Sequence, residues 1–243
     1  MKQLNIITII IIIISAFINA QSDNFDHSIF DKLLRENVSD DGLVDYQAFE
    51  ANRSFDQYIN KIAAADLTEM EKADKLAFLI NAYNALTIKN VLNNFPIDSP
   101  MDVEGFFKEK KFIVAGIELT LDELEYNHIL PIDKVLPHFG LVCAAASCPK
   151  LIREAYNGKS VLTRLEKNAK IFLNDETKNY LDRESKTLYL SEIFKWFRKY
   201  FEEKYGTLLE TAKQFINSDD KIFLDKNKVE IKFITYNWQL NSQ

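Results

Sequence analysis

The sequence predicts an α+β fold, a predominantly helical single domain with short antiparallel hairpins, and three observations carry that expectation. Apolar residues recur at helical spacing through most of the chain. Thr68 with Glu71, Thr120 with Glu123 and Thr207 with Glu210 each have the spacing of a capping box, in which a hydroxyl and a carboxylate satisfy the first free backbone donors of a helix. Short segments rich in β-branched and aromatic residues flank turn signals such as Ala115-Gly116. Six glycines and five prolines in 243 residues, with no Gly/Ser-rich or Pro-rich stretch, leave no candidate linker, so one core is expected.

The chain opens with Lys2, then an apolar run from Ile6 to Ile14 broken only by Thr8, and reaches the small residue Ala20. A charged start, an apolar centre and a small residue at the cut are the pattern of a secretory signal peptide. The run is shorter than the roughly 20 residues that a membrane helix needs, and no cysteine follows it for lipid attachment. The expected organisation is therefore a signal peptide over 1–20, an amino-terminal helical segment over 21–41 and a single domain over 42–243. The mature chain is expected to be exported, periplasmic or secreted, with no stable membrane span after cleavage.

A net charge of −6 without a lysine/arginine stripe argues against nucleic acid, whose binding rests on neutralising phosphates. The apolar spacing then predicts helices over 26–36, packing as a lid, and around Phe55, Tyr58, Ile59 and Ile62. A long buried helix is expected from the Thr68 box to the residue before Pro96. Asn81 and Asn84 share one face of it, where their amides either bond neighbouring backbone or line a polar site.

A hairpin over 112–119 and a helix from Thr120 through His128 follow. The continuous apolar run 139–145 reads as a buried strand, and Pro149 as the first turn of a helix to about Tyr156. Beyond it come a helix over 161–173, a hairpin joining 179–181 to 187–190, and a helix capped by Ser191. Trp196 and Phe197 on that helix belong to an aromatic stripe expected in the core. The Thr207 box starts a further helix, and 221–233 reads as a closing hairpin.

Four blocks in order resemble the domain of unknown function 547 family. They are Leu76-Ala-Phe-Leu-Ile-Asn81-Ala-Tyr-Asn84, the segment from Ala115-Gly116 to Glu125, the segment 138–156 holding His138, Cys143, Ser147 and Cys148, and Leu190 to Phe197 with the terminal Tyr236-Asn-Trp238-Gln-Leu-Asn241. The chain departs from the family's pattern at Pro137, where arginine is usual, and at Tyr126, where histidine is common. The resemblance implies no established reaction or substrate.

Thiol catalysis needs a thiolate with a base within hydrogen-bond reach and a third group that orients the base. The candidates are Cys143 as nucleophile, His138 as base, and Glu125 or Asn81 as orienter. Along a strand, five residues span roughly 16 Å and reverse the face, so His138 meets Cys143 only if the chain bends near Gly140. His128 stays open as an alternative base. The competing expectation is a Cys143–Cys148 disulfide, the commonest fate of two cysteines in an exported chain.

Cys143, Cys148, His138 and His128 could supply four zinc ligands, but neither a C-x2–4-C…H-x3–5-H nor an H-E-x-x-H pattern is properly present, the C-x4-C gap being borderline; no P-loop, dinucleotide fingerprint or serine-hydrolase elbow occurs, so no metal and no cofactor is expected. Two function classes stay open: a thiol-dependent hydrolase or acyl-transfer enzyme on peptide-like amides, and a non-enzymatic envelope or secreted domain that binds a peptide or glycan. In either, Asn84, Ser147, Cys148 and His128 are the expected binding residues, and the sequence does not set the oligomeric state.

Overall fold

The computed structural model describes residues 25–243 as a single α+β domain; the expected signal peptide lies outside the described residues. Helices α1 (Ser28–Asn37), α2 (Tyr46–Ala51) and α3 (Arg53–Ala63) lead into the long α4 (Lys72–Asn94). A hairpin of β1 (Lys111–Val114) and β2 (Ile117–Thr120) runs directly into α5 (Leu121–Leu124). Then come α6 (Val161–Leu173), β3 (Tyr180–Asp182), β4 (Thr187–Ser191), α7 (Glu192–Trp196), α8 (Arg198–Tyr205), α9 (Leu208–Phe215), α10 (Ser218–Lys226) and β5 (Glu230–Ile234). None of the helices among the described residues is long and apolar enough to cross a membrane.

The centre of the fold is α4. Its residues from Leu76 to Ile88 are buried without a break, so it is covered on all sides. Its start differs from the expected capping box: Thr68 bonds Asp66 in a local turn, and the helix begins at Lys72 after Glu71, whose side chain caps nothing. The expected lid, α1, sits in the core through Phe30, Leu33 and Leu34, with Phe30 stacked on Tyr58 of α3. At Thr120 the box is complete, with both reciprocal bonds formed, and it turns the chain from β2 into α5.

Three expected elements are replaced. The run 139–145 is not a strand: Leu136–Phe139 forms a 3₁₀ turn, and the next residues give their backbone groups to Asn84, which donates to the Gly140 carbonyl and accepts from Val142 N–H, both at 2.9 Å. The segment 149–156 is not a helix. Its backbone is bonded by side chains of other elements, Ala155 N–H to Asp31 and Tyr156 N–H to Asn81, so the helix start proposed at Pro149 does not exist. The closing hairpin is also absent. Asn217 caps α10 by accepting from Asp220 N–H, acidic residues fill that helix's first turn, and β5 pairs in parallel with β4.

The small sheet is consequently mixed, with β4 between antiparallel β3 and parallel β5. Beyond β5, the carboxyl-terminal segment crosses the molecule and zips onto the cysteine loop. Ala146 N–H bonds the Gln239 carbonyl at 2.8 Å, and Asn241 N–H bonds the Ala144 carbonyl at 3.0 Å. That crossing brings the fourth sequence block against the third.

Candidate functional site

The helix after Thr120 changes character at Glu125. Residues Glu125–Ile129 form a π-helical turn, with Leu130 N–H bonded to the Glu125 carbonyl at 2.9 Å. Such turns rotate the side-chain register. Glu125 lies on a cavity wall while its neighbour Tyr126, 45% exposed, stands at the rim.

The second wall comes from the bend that replaces the expected strand. Asp133 accepts from the N–H groups of Val135 and Leu136, both at 2.8 Å, which starts the 3₁₀ turn that carries His138. His138 is buried, stacks on Phe197 with centroids 3.8 Å apart, and holds its Nδ1 3.7 Å from Glu125 Oε1. Its Nε2 is buried with no hydrogen-bond partner among the described residues. Gly140 makes the bend possible, because a Cβ there would lie 2.9 Å from the Tyr156 hydroxyl.

The floor is the cysteine loop. Cys143 and Cys148 stand at disulfide distance, with Cα atoms 6.3 Å apart. Ala144 between them has φ of +61°, a left-handed conformation that a side chain disfavours, and the bonds from 237–241 hold it. The Tyr236 hydroxyl touches both sulfurs, at 3.1 Å from Cys143 and 3.2 Å from Cys148. Lys178 Nζ donates to the Cys148 carbonyl at 2.6 Å.

These walls enclose about 160 Å³, lined also by Tyr83, Phe107, Asp122, Leu141, Ile193, Trp196 and Trp238. Trp196, Tyr236 and Trp238 form one aromatic cluster, with centroids 4.7 to 5.8 Å apart. Tyr126 and Phe197 form another, 6.3 Å apart. Among the described residues, no lysine or arginine lines the cavity. A wider groove between residues 149–154 and α6 has several basic side chains on its border, of which Arg153 pairs with Asp40, Lys150 with Asp41 and Arg164 with Glu154.

Burial sets the protonation of the site. It pushes the Glu125 carboxyl up to about 8, with the Asp122 charge adding to the effect. The His138 imidazole is driven down to about 3 by burial, against the opposing pull of the Lys134 backbone and Asp133. Burial also raises Asp122, opposed by Lys108. The Tyr83 and Tyr236 hydroxyls are raised by burial as well, and both stay protonated at neutral pH.

Of the expected site residues, the fold brings Glu125, His138, Cys143 and Cys148 to this cavity. Asn81 and Asn84 do not line it. Both are buried, and each amide is spent on loop backbone, Asn81 on both polar groups of Tyr156 and Asn84 on Gly140 and Val142. Ser147 Oγ accepts from Asn237 N–H at 2.8 Å, and His128 lies outside the cavity lining. The sequence reading missed Tyr236 and Trp238 as site residues and placed Trp196 and Phe197 in the core. Trp196 is 45% exposed at the last residue of α7, where the helix breaks before α8 starts at Arg198.

An α+β domain with a small aromatic cleft over a cysteine pair is the class that fold and site define. Residues 67–173 match the profile of a family described as "Protein of unknown function, DUF547". Through that segment, under half of the chain, the protein is similar to the DUF547 family. The match spans the first three sequence blocks, whereas Trp196, Tyr236 and Trp238 lie beyond it. No curated protein and no solved structure matches the chain.

Proposed function

We propose that the protein is an exported, non-enzymatic binding domain that seats one group of a peptide or glycan in the aromatic cleft, with a Cys143–Cys148 disulfide bracing the floor. The observation that carries this reading is the pairing of the cysteines beneath the aromatic clusters. A bonded sulfur is no nucleophile, while stacked indole and phenol faces are suited to apolar and ring-bearing groups. A disulfide also suits an oxidising compartment, which supports export.

Both tryptophans of the chain, Trp196 and Trp238, line the cleft, so intrinsic indole emission reports on this site alone. Titration with a panel of short peptides and oligosaccharides is expected to shift that emission saturably for at least one class. Trp196→Leu, at a half-exposed position, is expected to weaken the same ligand. A panel that leaves the emission unchanged would refute the reading.

One observation favours a second reading, a thiol-dependent hydrolase or acyl-transfer enzyme: His138, Glu125 and Cys143 line the same cavity. It requires the reduced protein and movement of His138 toward Cys143, since no hydrogen bond joins them here. Turnover of peptide amides by reduced protein, lost in Cys143→Ala, would establish it over the binding reading.

A further inference from the structure

We infer that the cleft takes an alkylammonium group, the primary or methylated amine at the end of a longer ligand, held between the aromatic walls with Glu125 and Asp122 as counter-charges. This rests on the binding-cleft reading and names its ligand. At about 160 Å³ the cavity is well below the roughly 300 to 1,000 Å³ of sites that enclose whole small molecules, so it fits a single side chain or head group.

The choice of a cation follows from what the walls offer and what they lack. With no lysine or arginine among the described residues of the lining, an anionic group would meet carboxyls without any compensating charge. Aromatic faces attract a cation that comes within about 6 Å of the ring centre, most strongly for tryptophan and when water is excluded. The Glu125 carboxyl accepts no hydrogen bond from any described residue, and His138 Nδ1 stands 3.7 Å from it. Buried polar groups left without partners are costly, and an N–H-bearing or methylated ammonium would satisfy the carboxyl electrostatically.

A proton now does what the ammonium would do. The groups facing Glu125 are His138, Asp122, Tyr83, Tyr126 and Tyr236, with Lys108 reaching only Asp122. With the carboxyl pushed up to about 8 by burial, a cation that enters at neutral pH displaces its proton. Apparent affinity then tightens by about tenfold per pH unit up to about 8 and levels off above it.

The test compares three molecules of the same shape by indole emission and by calorimetry in two buffers of different ionisation enthalpy. They are choline, tert-butylethanol, which carries carbon in place of nitrogen, and the tert-butylacetic acid anion. Choline is expected to bind at least about tenfold tighter than the neutral isostere at alkaline pH, with release of a proton near neutrality. Glu125→Gln, checked for folding by circular dichroism, should remove the pH dependence while leaving the isostere's binding in place. Trp196→Leu should weaken choline even if Glu125→Gln fails to fold.

Equal binding of choline and the isostere, or tighter binding of the anion, would overturn the inference and leave the cleft a site for neutral groups. No response to any of the three, together with a silent peptide and oligosaccharide panel, would remove the cleft reading and the inference with it.

Discussion

Replacing Glu125 with glutamine removes the proton that the buried site keeps, and the consequence can be worked out from the titration of two groups. The Glu125 carboxyl is raised from 4.5 to about 8 in the folded protein, and the His138 imidazole is lowered from 6.5 to about 3. A raised carboxyl contributes stability that is fully present below 4.5 and is lost as pH climbs to about 8, because the unfolded chain has already ionised. A lowered imidazole works in reverse: the unfolded chain holds the proton below 6.5, so stability is lost as pH falls from 6.5 to about 3.

Between 4.5 and 6.5 the two slopes cancel, and the folded pair keeps one proton whichever of the facing atoms carries it. At about 1.4 kcal/mol per pH unit and proton, the pair contributes no net slope there, the rise that buried His27 adds as it is lowered to about 4 being common to wild type and variant, and the wild type should lose on the order of 2 kcal/mol between pH 6.5 and 8. Glu125→Gln should show no loss over that alkaline interval and, relative to the wild type, an additional rise of about 3 kcal/mol from pH 4.5 to 6.5, the His138 slope that Glu125 no longer offsets. Urea unfolding at a series of pH values measures both profiles. Parallel profiles for wild type and variant would refute the assignment of the alkaline loss to Glu125.

Three further outcomes follow from the same geometry. Asn84→Ala should destabilise by about 3 kcal/mol in urea unfolding, because it strands the Gly140 carbonyl and Val142 N–H in the core; a loss under about 1 kcal/mol would mean that water replaces the amide. Gly140→Ala should cost roughly 1 to 3 kcal/mol by forcing Tyr156 and Leu165 apart, with a lowered Tm as the readout. Changing both Cys143 and Cys148 to serine should cost only about 2 kcal/mol, since the bridge closes a loop of sequence separation five, and native circular dichroism should survive.

Where local patterning decides the outcome, the sequence was a good guide. The helices α1, α3, α6 and α9, the β1–β2 hairpin and the Thr120 box fall where apolar spacing and cap chemistry put them. The failures share one cause, backbone captured by distant side chains. Residues 139–145 have the composition of a strand, yet Asn84, more than fifty positions earlier, takes the hydrogen bonds that a neighbouring strand would supply. Residues 149–156 have a helix start, yet Asp31 and Asn81 hold their N–H groups.

The two asparagines were visible as a shared helix face, but nothing local says that their partners are Gly140 and Tyr156. Part of the cleft was equally legible: His138, Cys143, Cys148 and Glu125 stood out as reactive types in family blocks. Tyr236 and Trp238 stand in the sequence only as members of the terminal block, since their place over the sulfurs depends on the carboxyl-terminal segment crossing the molecule. Trp196 reads as core by period alone, and only the break between α7 and α8 turns it toward the cavity mouth.

The account rests most directly on the state of the two sulfurs. Intact-mass measurement of the purified protein, alkylated under denaturing conditions before and after mild reduction, reads that state without a ligand or an assay of activity. A disulfide-braced binding cleft predicts no alkylation until reduction and two additions afterwards. Two additions without reductant, one of them fast at neutral pH in the folded protein, would contradict it and make Cys143 a nucleophile.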